Sequence, residues 1–412
     1  MIRRLEVLIF AGVLVVAAFS TGLAFLFYLV YLGVLVVGGS YVLTRLGLSD
    51  LEAGYAVNQL NGHVGDELRL TYTLRNASRV PKLWLEVHNP TSLPGGLPGR
   101  ALTLGSRAER SWLVRAPLSR RGHFRIEPLQ ISTGDPFGLF EASAAVGQPV
   151  TLVVYPRLER LPLWKLPAAS IEGSHASPER TLQTTPLATS VRPYAPGDSM
   201  NRIHWKMTAR HGEIQVKEFD LEQTADAWLF LDLDRNVQAG QGDESTVEAG
   251  VRVAAAIADK AISENRSVGL TVNGHRSPIL PADRGARQHL KVMQLLAAVE
   301  GDGDAPFAET LVGGLHRVRR GMTAVIVTPS SERDWVRPLA TLRGRGVACV
   351  VVWIDAAAYD RHARGVVAAT TQPTADDPAA QRARALRHAL AEYDLPVKVV
   401  TPGRPLAEVL VG

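Results

Sequence analysis

The sequence predicts a multi-domain protein with an N-terminal transmembrane helical hairpin, a β-sandwich domain of immunoglobulin-like type and a doubly wound α/β domain. A long charge-free stretch opens the chain, short partly alternating apolar segments follow it, and apolar strands then alternate with helical segments. We place the hairpin at 1–46, the β-sandwich at 47–160, a connecting segment at 161–224 and the α/β domain at 225–412. With 412 residues, each soluble domain is long enough to bury its own core.

The N-terminal stretch is long enough for two short membrane helices. No charged residue occurs from Val7 to Leu43, whereas the apolar region of a signal peptide spans roughly 7–15 residues and one membrane-spanning helix needs about 20. We interpret Leu5–Phe19 and Leu23–Leu43 as a helical hairpin. The alternative is a single tilted span, which would place the rest of the chain on the other side of the membrane.

Basic residues beside the hairpin predict its orientation. Arg3 and Arg4 precede it and Arg45 follows it, and basic flanks favour the cytoplasm. We therefore expect a multi-pass protein of the cell membrane with cytoplasmic soluble domains. The single cysteine, Cys349, agrees with a reducing compartment and lies in an apolar strand, where a buried, inert thiol is expected.

Composition and motifs exclude several classes of function. The chain has 45 basic and 40 acidic residues, so its net charge of +5 requires no nucleic-acid partner. A hydrophobic content of 46% excludes a wholly disordered chain. Walker A, G-x-G-x-x-G and G-x-S-x-G motifs do not occur in the sequence. We therefore expect a protein that is not an enzyme.

Each soluble domain is predicted from a series of short segments. Turn residues separate the strands of the β-sandwich, which are Glu67–Leu74, Leu83–His88, Ala108–Val114, Gly122–Ile131 and Val150–Tyr155. The predicted strands of the α/β domain are Ala227–Leu233, Ser267–Val272, Ala324–Thr328, Val347–Ile354 and Val397–Thr401. The helices between them are Ser245–Glu264, Ala286–Val299, Arg333–Arg343 and Ala379–Glu392. This alternation predicts a parallel sheet with right-handed crossovers.

The most distinctive segment runs from residue 191 to residue 220. Asp198 is placed to cap the N-terminus of a helix that Gly212 ends. Within this helix Arg202, Lys206 and Arg210 are spaced i, i+4 and i+8, so they share one face.

Two interpretations of these basic residues remain open. They dock an acidic partner or anionic ligand, or Arg192, Arg202 and Arg210 pair with carboxylates such as Asp198 and tie the two soluble domains together. Residue chemistry favours the ion pairs, because the guanidinium group pairs with a carboxylate through two parallel hydrogen bonds.

The same segment resembles the signature of the domain of unknown function 58 (DUF58) family. The matching positions are Arg192, Tyr194, Gly197, Asp198, Arg202, Ile203, Trp205, Lys206, Thr208, Ala209, Arg210, Gly212, Ile214, Val216, Lys217 and Glu218. A second element, GDPFGLF at Gly134–Phe140, is similar to another motif of this family. The resemblance extends over nearly the whole chain, including the hairpin.

The resemblance implies a function as well as a fold. It implies a von Willebrand factor A-like α/β domain, and a MoxR-type AAA+ ATPase and a transglutaminase-like membrane protein as partners. We therefore expect a membrane-anchored, non-enzymatic adaptor or assembly factor in protein complex assembly or maturation. The alternative is an enzyme or a ligand-binding module that acts in the cell envelope.

The resemblance also directs attention to a metal site. Von Willebrand factor A domains often bind Mg²⁺ through a D-x-S-x-S motif after the first strand. Here Asp232 matches the first position, but Asp234 and Asn236 replace the two serines. Two interpretations remain: a Mg²⁺ site with altered oxygen ligands, or a sheet edge that binds a partner or nothing, which we favour. We expect no other cofactor.

Overall fold

The computed structural model describes residues 2–167, 190–195, 198, 200, 203–218, 226–275, 277–365 and 378–411. The chain divides into two compact units. The first comprises Met1–Arg157 with Met293–Ala298, and the second comprises Leu158–Val292 with Val299–Gly412.

The first unit begins with two apolar helices, α1 (Ile2–Thr21) and α2 (Ala24–Leu48). Gly22 separates them with a positive φ of 65°, and the rings of Phe19 and Phe27 meet edge-to-face with centroids 5.3 Å apart. In the described part of the chain, α2 is the one helix that is long and apolar enough to cross a membrane, and the apolar part of α1 is shorter. The structure therefore contains both predicted helices, and whether both cross a membrane stays a prediction.

A region rich in β-strands follows α2, and we call Leu51–Tyr155 the β region. Its strands are β1 (Leu51–Val57), β2 (Asn61–His63), β3 (Glu67–Asn76), β4 (Lys82–His88), β5 (Arg100–Leu104), β6 (Glu109–Pro117), β7 (Gly122–Ile126), β8 (Leu129–Gly134), β9 (Glu141–Val146) and β10 (Val150–Tyr155). They form sheets in the orders β1-β3-β6, β5-β4-β8-β9 and β2-β10-β7. Every neighbouring pair is antiparallel except β2 and β10.

One hydrophobic core connects these sheets. Alternate residues of β3 are buried, as expected for a strand with one face toward a core. Leu70 of β3 belongs to the same buried cluster as Leu85 of β4, Ile131 of β8 and Leu152 of β10. The N-terminal region is therefore sheet-rich, as predicted, with more strands than the sequence indicated.

The remaining elements lie between residues 190 and 411. The strands are β11 (Ser190–Pro193), β12 (Gln215–Glu218), β13 (Ala227–Asp232), β14 (Gly240–Gln241), β15 (Glu244–Ser245), β16 (Val268–Asn273), β17 (Ile279–Asp283), β18 (Thr323–Thr328), β19 (Ala348–Ile354) and β20 (Val397–Val400). The helices are α3 (Trp205–His211), α4 (Thr246–Ser263), α5 (Gly285–Ala298), α6 (Phe307–Gly314), α7 (Val336–Gly344), α8 (Ala356–Ala363), α9 (Pro378–Glu392) and α10 (Leu406–Val411).

Six strands of the second unit form one sheet in the order β17-β16-β13-β18-β19-β20. Five of them are parallel, whereas β17 is antiparallel to β16. The five strands predicted from the sequence are thus parallel, as expected, and the sequence missed the edge strand β17. This strand runs antiparallel because only five residues separate it from β16, whereas a parallel return needs a crossover of a dozen or more residues.

Helices cover both faces of this sheet. Every residue of β13 is buried, which is typical of a strand between two helical layers. Trp228 and Phe230 share a buried cluster with Leu339 of α7 and Leu386 of α9. On α4, a Cβ added at Gly250 would lie 3.2 Å from Leu231 Cδ1, so the glycine allows α4 to pack closely against the sheet.

Candidate functional site

A buried carboxyl group lies at the carboxyl end of the central strand β13. Asp232 is 1% exposed. Its Oδ2 accepts a hydrogen bond from the Thr328 hydroxyl at 2.6 Å, and its Oδ1 accepts one from the Asn273 amide at 3.3 Å. Thr328 ends β18 and Asn273 ends β16, so three adjacent parallel strands bring these polar groups to one edge of the sheet.

The surroundings of Asp232 change its acidity. Burial raises the pKa of this carboxyl group to about 6, although hydrogen bonds from Thr328, the Asp234 backbone and Asn273 favour the ionised form. The Asp234 N–H donates to Oδ1 at 3.1 Å. The group therefore gains or loses its proton near pH 6, with both oxygen atoms already engaged.

The loop after β13 is held by its own polar groups. Asp234 Oδ1 accepts hydrogen bonds from the backbone N–H and the side-chain amide of Asn236, at 3.0 and 2.8 Å. The Gln238 amide donates to the carbonyl oxygens of Asp232 and Asp234, both at 3.2 Å. These bonds turn the Asp234 carboxylate toward its own loop.

This arrangement does not fit the Mg²⁺ site that the family resemblance implies. Both oxygens of Asp232 and one oxygen of Asp234 already accept hydrogen bonds, and Mg²⁺ demands near-octahedral oxygen ligation. Among the residues that the structure describes, no group of three or more His, Cys, Asp or Glu is arranged to hold a metal ion. The role of Asp232, Asp234 and Asn236 in binding a partner stays a prediction.

An open cleft of about 980 Å³ lies at the same edge of the sheet. Its acidic side chains include residues that follow β13, β18 and β19, namely Asp234, Glu332, Asp334 and Asp355. Its basic side chains include three from α9, namely Arg382, Arg384 and Arg387. These three arginines are exposed. The cleft therefore carries both signs of charge.

One of these arginines is placed over an aromatic ring. The Arg387 guanidinium lies 5.5 Å from the centroid of the Trp353 ring, a distance within the range of cation–π attraction. Trp353 is buried in β19, so it provides a fixed platform. This contact holds the Arg387 guanidinium at the cleft, while the side chain remains exposed.

The thiol of Cys349 has no features of a nucleophile. It is buried in β19, and burial raises its pKa to about 12. Because the thiolate is the reactive form, this thiol is inert at neutral pH. The prediction of a buried thiol is confirmed.

The signature segment forms a small hairpin with a short helix in its connection. Strands β11 and β12 pair antiparallel, and α3 lies between them in sequence. Gly212 ends α3 with a φ of 74°, and its N–H donates to Thr208 O at 2.9 Å. This confirms Gly212 as the predicted end of the helix.

Asp198 does not cap this helix, which corrects the prediction. It pairs with the Arg192 guanidinium through two contacts of 2.8 Å and accepts a hydrogen bond from Ala195 N–H at 2.9 Å. The helix begins only at Trp205, beyond the reach of Asp198, and His204 is its N-cap, with Nδ1 accepting from Met207 N–H at 3.3 Å. The Arg192–Asp198 ion pair lies within the signature segment, so a tie between the two soluble domains stays a prediction.

The other signature residues are placed as follows. Gly197 and Arg202 lie outside the described residues. Lys206 and Arg210 are exposed one turn apart on α3. The structure therefore describes two of the three basic residues that were predicted to share one face of the helix. Tyr194 and Trp205 are also exposed, and Trp205 to a large extent. The described signature thus combines one ion pair with exposed basic and aromatic side chains.

Two polar residues of the sheet edge were missed from the sequence. Asn273 contacts Asp232 and also donates to Ala305 O at 3.0 Å, and Gln238 bridges two carbonyl groups. Asn273 directly follows the predicted strand Ser267–Val272, so its position at the end of a neighbouring strand was the available signal. Gln238 lies in a loop, where the sequence carries no comparable pattern.

Curated relatives are similar to this chain, and they are uncharacterised. The protein YeaD of Bacillus subtilis (strain 168) is 27% identical over 356 residues, which cover 84% of this chain and 86% of that protein. A Mycobacterium tuberculosis protein is 29% identical over 175 residues, which cover 40% of this chain and 53% of that protein. The match therefore spans about half the length of the mycobacterial relative.

Solved structures and a family model complete the comparison. The CARDB domain of a Pyrococcus furiosus protein is 14% identical, covers 26% of this chain and 92% of that domain, and has a TM-score of 0.19, too low to carry an argument. Residues 190–392, which include the signature segment and the sheet edge around Asp232, match the family model described as "Protein of unknown function DUF58", and this match confirms the family resemblance over that range.

Proposed function

We propose that this protein is a membrane-anchored, non-enzymatic adaptor or assembly factor that works with a MoxR-type AAA+ ATPase and a transglutaminase-like membrane protein. In this proposal the α/β unit is a von Willebrand factor A-like domain and the β region is an immunoglobulin-like sandwich. The six-stranded sheet with helices on both faces, and the Asp232 position at the end of its central strand, support this assignment.

The observation that carries the proposal is the open cleft at the carboxyl edge of the sheet. It presents acidic residues from three loops and arginines from α9, and surfaces with charges of both signs favour a partner of complementary pattern. The polar groups around Asp232 hydrogen-bond to one another. They therefore support a preformed binding surface at this edge of the sheet more than a catalytic nucleophile.

Membrane anchoring by both helices is part of the proposal. The exposed apolar surface of α2 supports it, and Arg45 near the end of α2 favours a cytoplasmic end. If α1 also crosses, Arg3 and Arg4 lie on that same side. The β region and the second unit then lie in the cytoplasm, where an AAA+ ATPase is available.

Affinity purification of the full-length chain from detergent-solubilised membranes tests the proposal. We expect a MoxR-type AAA+ protein, identified by mass spectrometry, to co-purify with the natural chain. Arg387→Glu should lower its recovery at least several-fold, because the reversal changes the charge of the cleft while the side chain is exposed. Arg287→Glu on α5, also exposed, is the matched control. Recovery of no AAA+ protein in repeated purifications would contradict the proposal.

One observation favours the alternative, an enzyme or ligand-binding module of the cell envelope. A buried carboxyl group with a raised pKa at a cleft, as at Asp232, is common in catalytic sites. An activity on envelope peptides or polymers that is present in the natural chain and absent from Asp232→Asn would favour this alternative.

A further inference from the structure

We infer that the β region carries a lipid-docking patch, which lies on the bilayer surface beside α2. The patch consists of Val80, Leu83, Trp84, Pro136 and Phe137. The inference rests on the proposal that α2 crosses the membrane, and it adds that the β region itself contacts lipid. The occupant is the interface of a phospholipid bilayer.

The first step is the firm attachment of the β region to the end of α2. Lys82 is 1% exposed, and its Nζ donates hydrogen bonds to Leu46 O and to Ser49 O, the latter at 2.8 Å. The last carbonyl groups of a helix lack intrahelical partners and carry partial negative charge. The buried ammonium group of Lys82, at the start of β4, therefore caps the C-terminus of α2.

A second contact attaches the GDPFGLF element to the same helix. Asp135 accepts hydrogen bonds from Phe137 N–H at 2.9 Å and Phe140 N–H at 2.6 Å, which tighten the turn after β8. The Phe140 ring then meets the Tyr41 ring of α2 edge-to-face, with centroids 5.7 Å apart. Phe137, at the tip of the turn, is 64% exposed.

The length of α2 sets the depth of the patch. Its 25 residues span about 37 Å at about 1.5 Å per residue, whereas the hydrocarbon core of a bilayer is about 30 Å thick. A span that starts at Ala24 therefore leaves the core near Leu43. Arg45 follows, and its Nε donates to the Tyr41 hydroxyl at 3.4 Å, a pairing that suits the interface.

The patch lies at this same level. Leu43 and Leu46 of α2 line one cavity of about 440 Å³ together with Leu83, Trp84 and Pro136. The β region thus brings apolar side chains to the depth at which the helix leaves the hydrocarbon core.

The chemistry of the patch fits the bilayer interface. Leu83 and Trp84 are 63% and 53% exposed, and a contiguous exposed group of large apolar side chains marks a contact surface. Tryptophan favours the headgroup level of a membrane, because its ring is apolar and its N–H can hydrogen-bond there. If α2 spans the bilayer, it holds the patch at this level, and the lipid interface is the occupant that we infer.

Fluorescence quenching in vesicles tests the inference. The full-length chain carries Leu83→Cys or Phe137→Cys with an environment-sensitive thiol label, in vesicles of phosphatidylcholine and phosphatidylglycerol (3:1). Cys349 is buried and does not compete for the label. Leu60→Cys is the matched control, since Leu60 is apolar, 57% exposed and follows the far end of β1. We expect doxyl-labelled lipids to quench positions 83 and 137 at least several-fold more than position 60.

Flotation of the vesicles separates the two levels of the proposal. A chain that does not float with lipid would overturn both the anchoring by α2 and the docking. A chain that floats, with equal quenching at all three positions, would overturn the docking alone. The labels at positions 83 and 137 could also become protected from solvent only after membrane proteins are added to the vesicles. That result would assign the patch to a protein partner and would overturn the inference.

Discussion

At the scale of single residues, Asp232 couples stability to pH. Its folded pKa of about 6 exceeds the value of about 3.9 expected in the unfolded chain. The folded state therefore binds the proton more tightly, and the stabilisation that results is fully present below about pH 4 and is lost as the pH rises through about 6. Two pKa units correspond to about 3 kcal/mol. At neutral pH the ionised Asp232 carboxylate therefore lowers the free energy of unfolding by about this amount.

The variant Asp232→Asn removes this charge at every pH. We expect it to raise the free energy of unfolding by about 2–3 kcal/mol at pH 7.5, with the gain shrinking toward pH 4. Denaturant titrations of the full chain in detergent at several pH values measure the effect. Asp283→Asn, at an exposed edge position, serves as the control. A pH-independent difference between Asp232→Asn and the natural chain would show that Asp232 does not titrate in this range.

The sequence predicts the residues of the sheet edge better than their contacts. Asp232 stands out because it ends a wholly apolar strand, and its place is set by the strand pattern alone. The bonds that Asp234 forms depend instead on the conformation of the loop after β13. Asp198 shows the same limit, because its partner, Arg192, was visible in the sequence but the late start of α3 was not.

At the scale of elements, Lys82 decides how firmly α2 joins the β region. Burial lowers the pKa of its ammonium group, and the charge of Asp50 opposes this shift. Lys82→Met keeps the apolar stem and removes the donors, which leaves Leu46 O and Ser49 O without this partner. We expect a loss of about 1.5–3 kcal/mol, because Ser49 O loses a hydrogen bond from a charged group, whereas Leu46 O keeps the Ser49 hydroxyl at 3.0 Å.

Thermal or urea unfolding of the full chain in detergent measures that loss. Lys165→Met, at an exposed lysine, should change the free energy of unfolding by about 0.5 kcal/mol or less. Equal stability of the two variants would mean that water replaces Lys82 at the end of α2 without loss.

The elements that the sequence missed have weak local patterns. Strand β9, with the sequence EASAAV, holds mainly small residues of low strand propensity. The predicted strand Gly122–Ile131 is divided into β7 and β8, and Pro128 in its middle marks the division, since proline removes a ladder hydrogen bond. By contrast, β13 and α4 carry strong patterns over their full length and were predicted closely.

At the scale of the whole molecule, the sequence predicts the arrangement of the large sheet only in part. Apolar strands alternating with helices predict a sheet covered on both faces, and the structure has one. The antiparallel β17 depends on a connection of five residues between β16 and β17, which permits a hairpin and no crossover. The sequence ILPAD of β17 contains a proline and was not recognised as a strand, so its reversed direction could not be predicted.

The last prediction concerns the topology of the whole chain in its membrane. If α1 and α2 both cross, the turn at Gly22 faces the side opposite to the β region. Thr21 is exposed at that turn, so Thr21→Cys should react with a membrane-impermeant maleimide in right-side-out membrane vesicles. Leu60→Cys in the β region should react only after permeabilisation, and the buried Cys349 keeps the background low. Reaction of Leu60→Cys in sealed vesicles, with Thr21→Cys protected, would instead establish a single span and place the soluble units outside the cytoplasm.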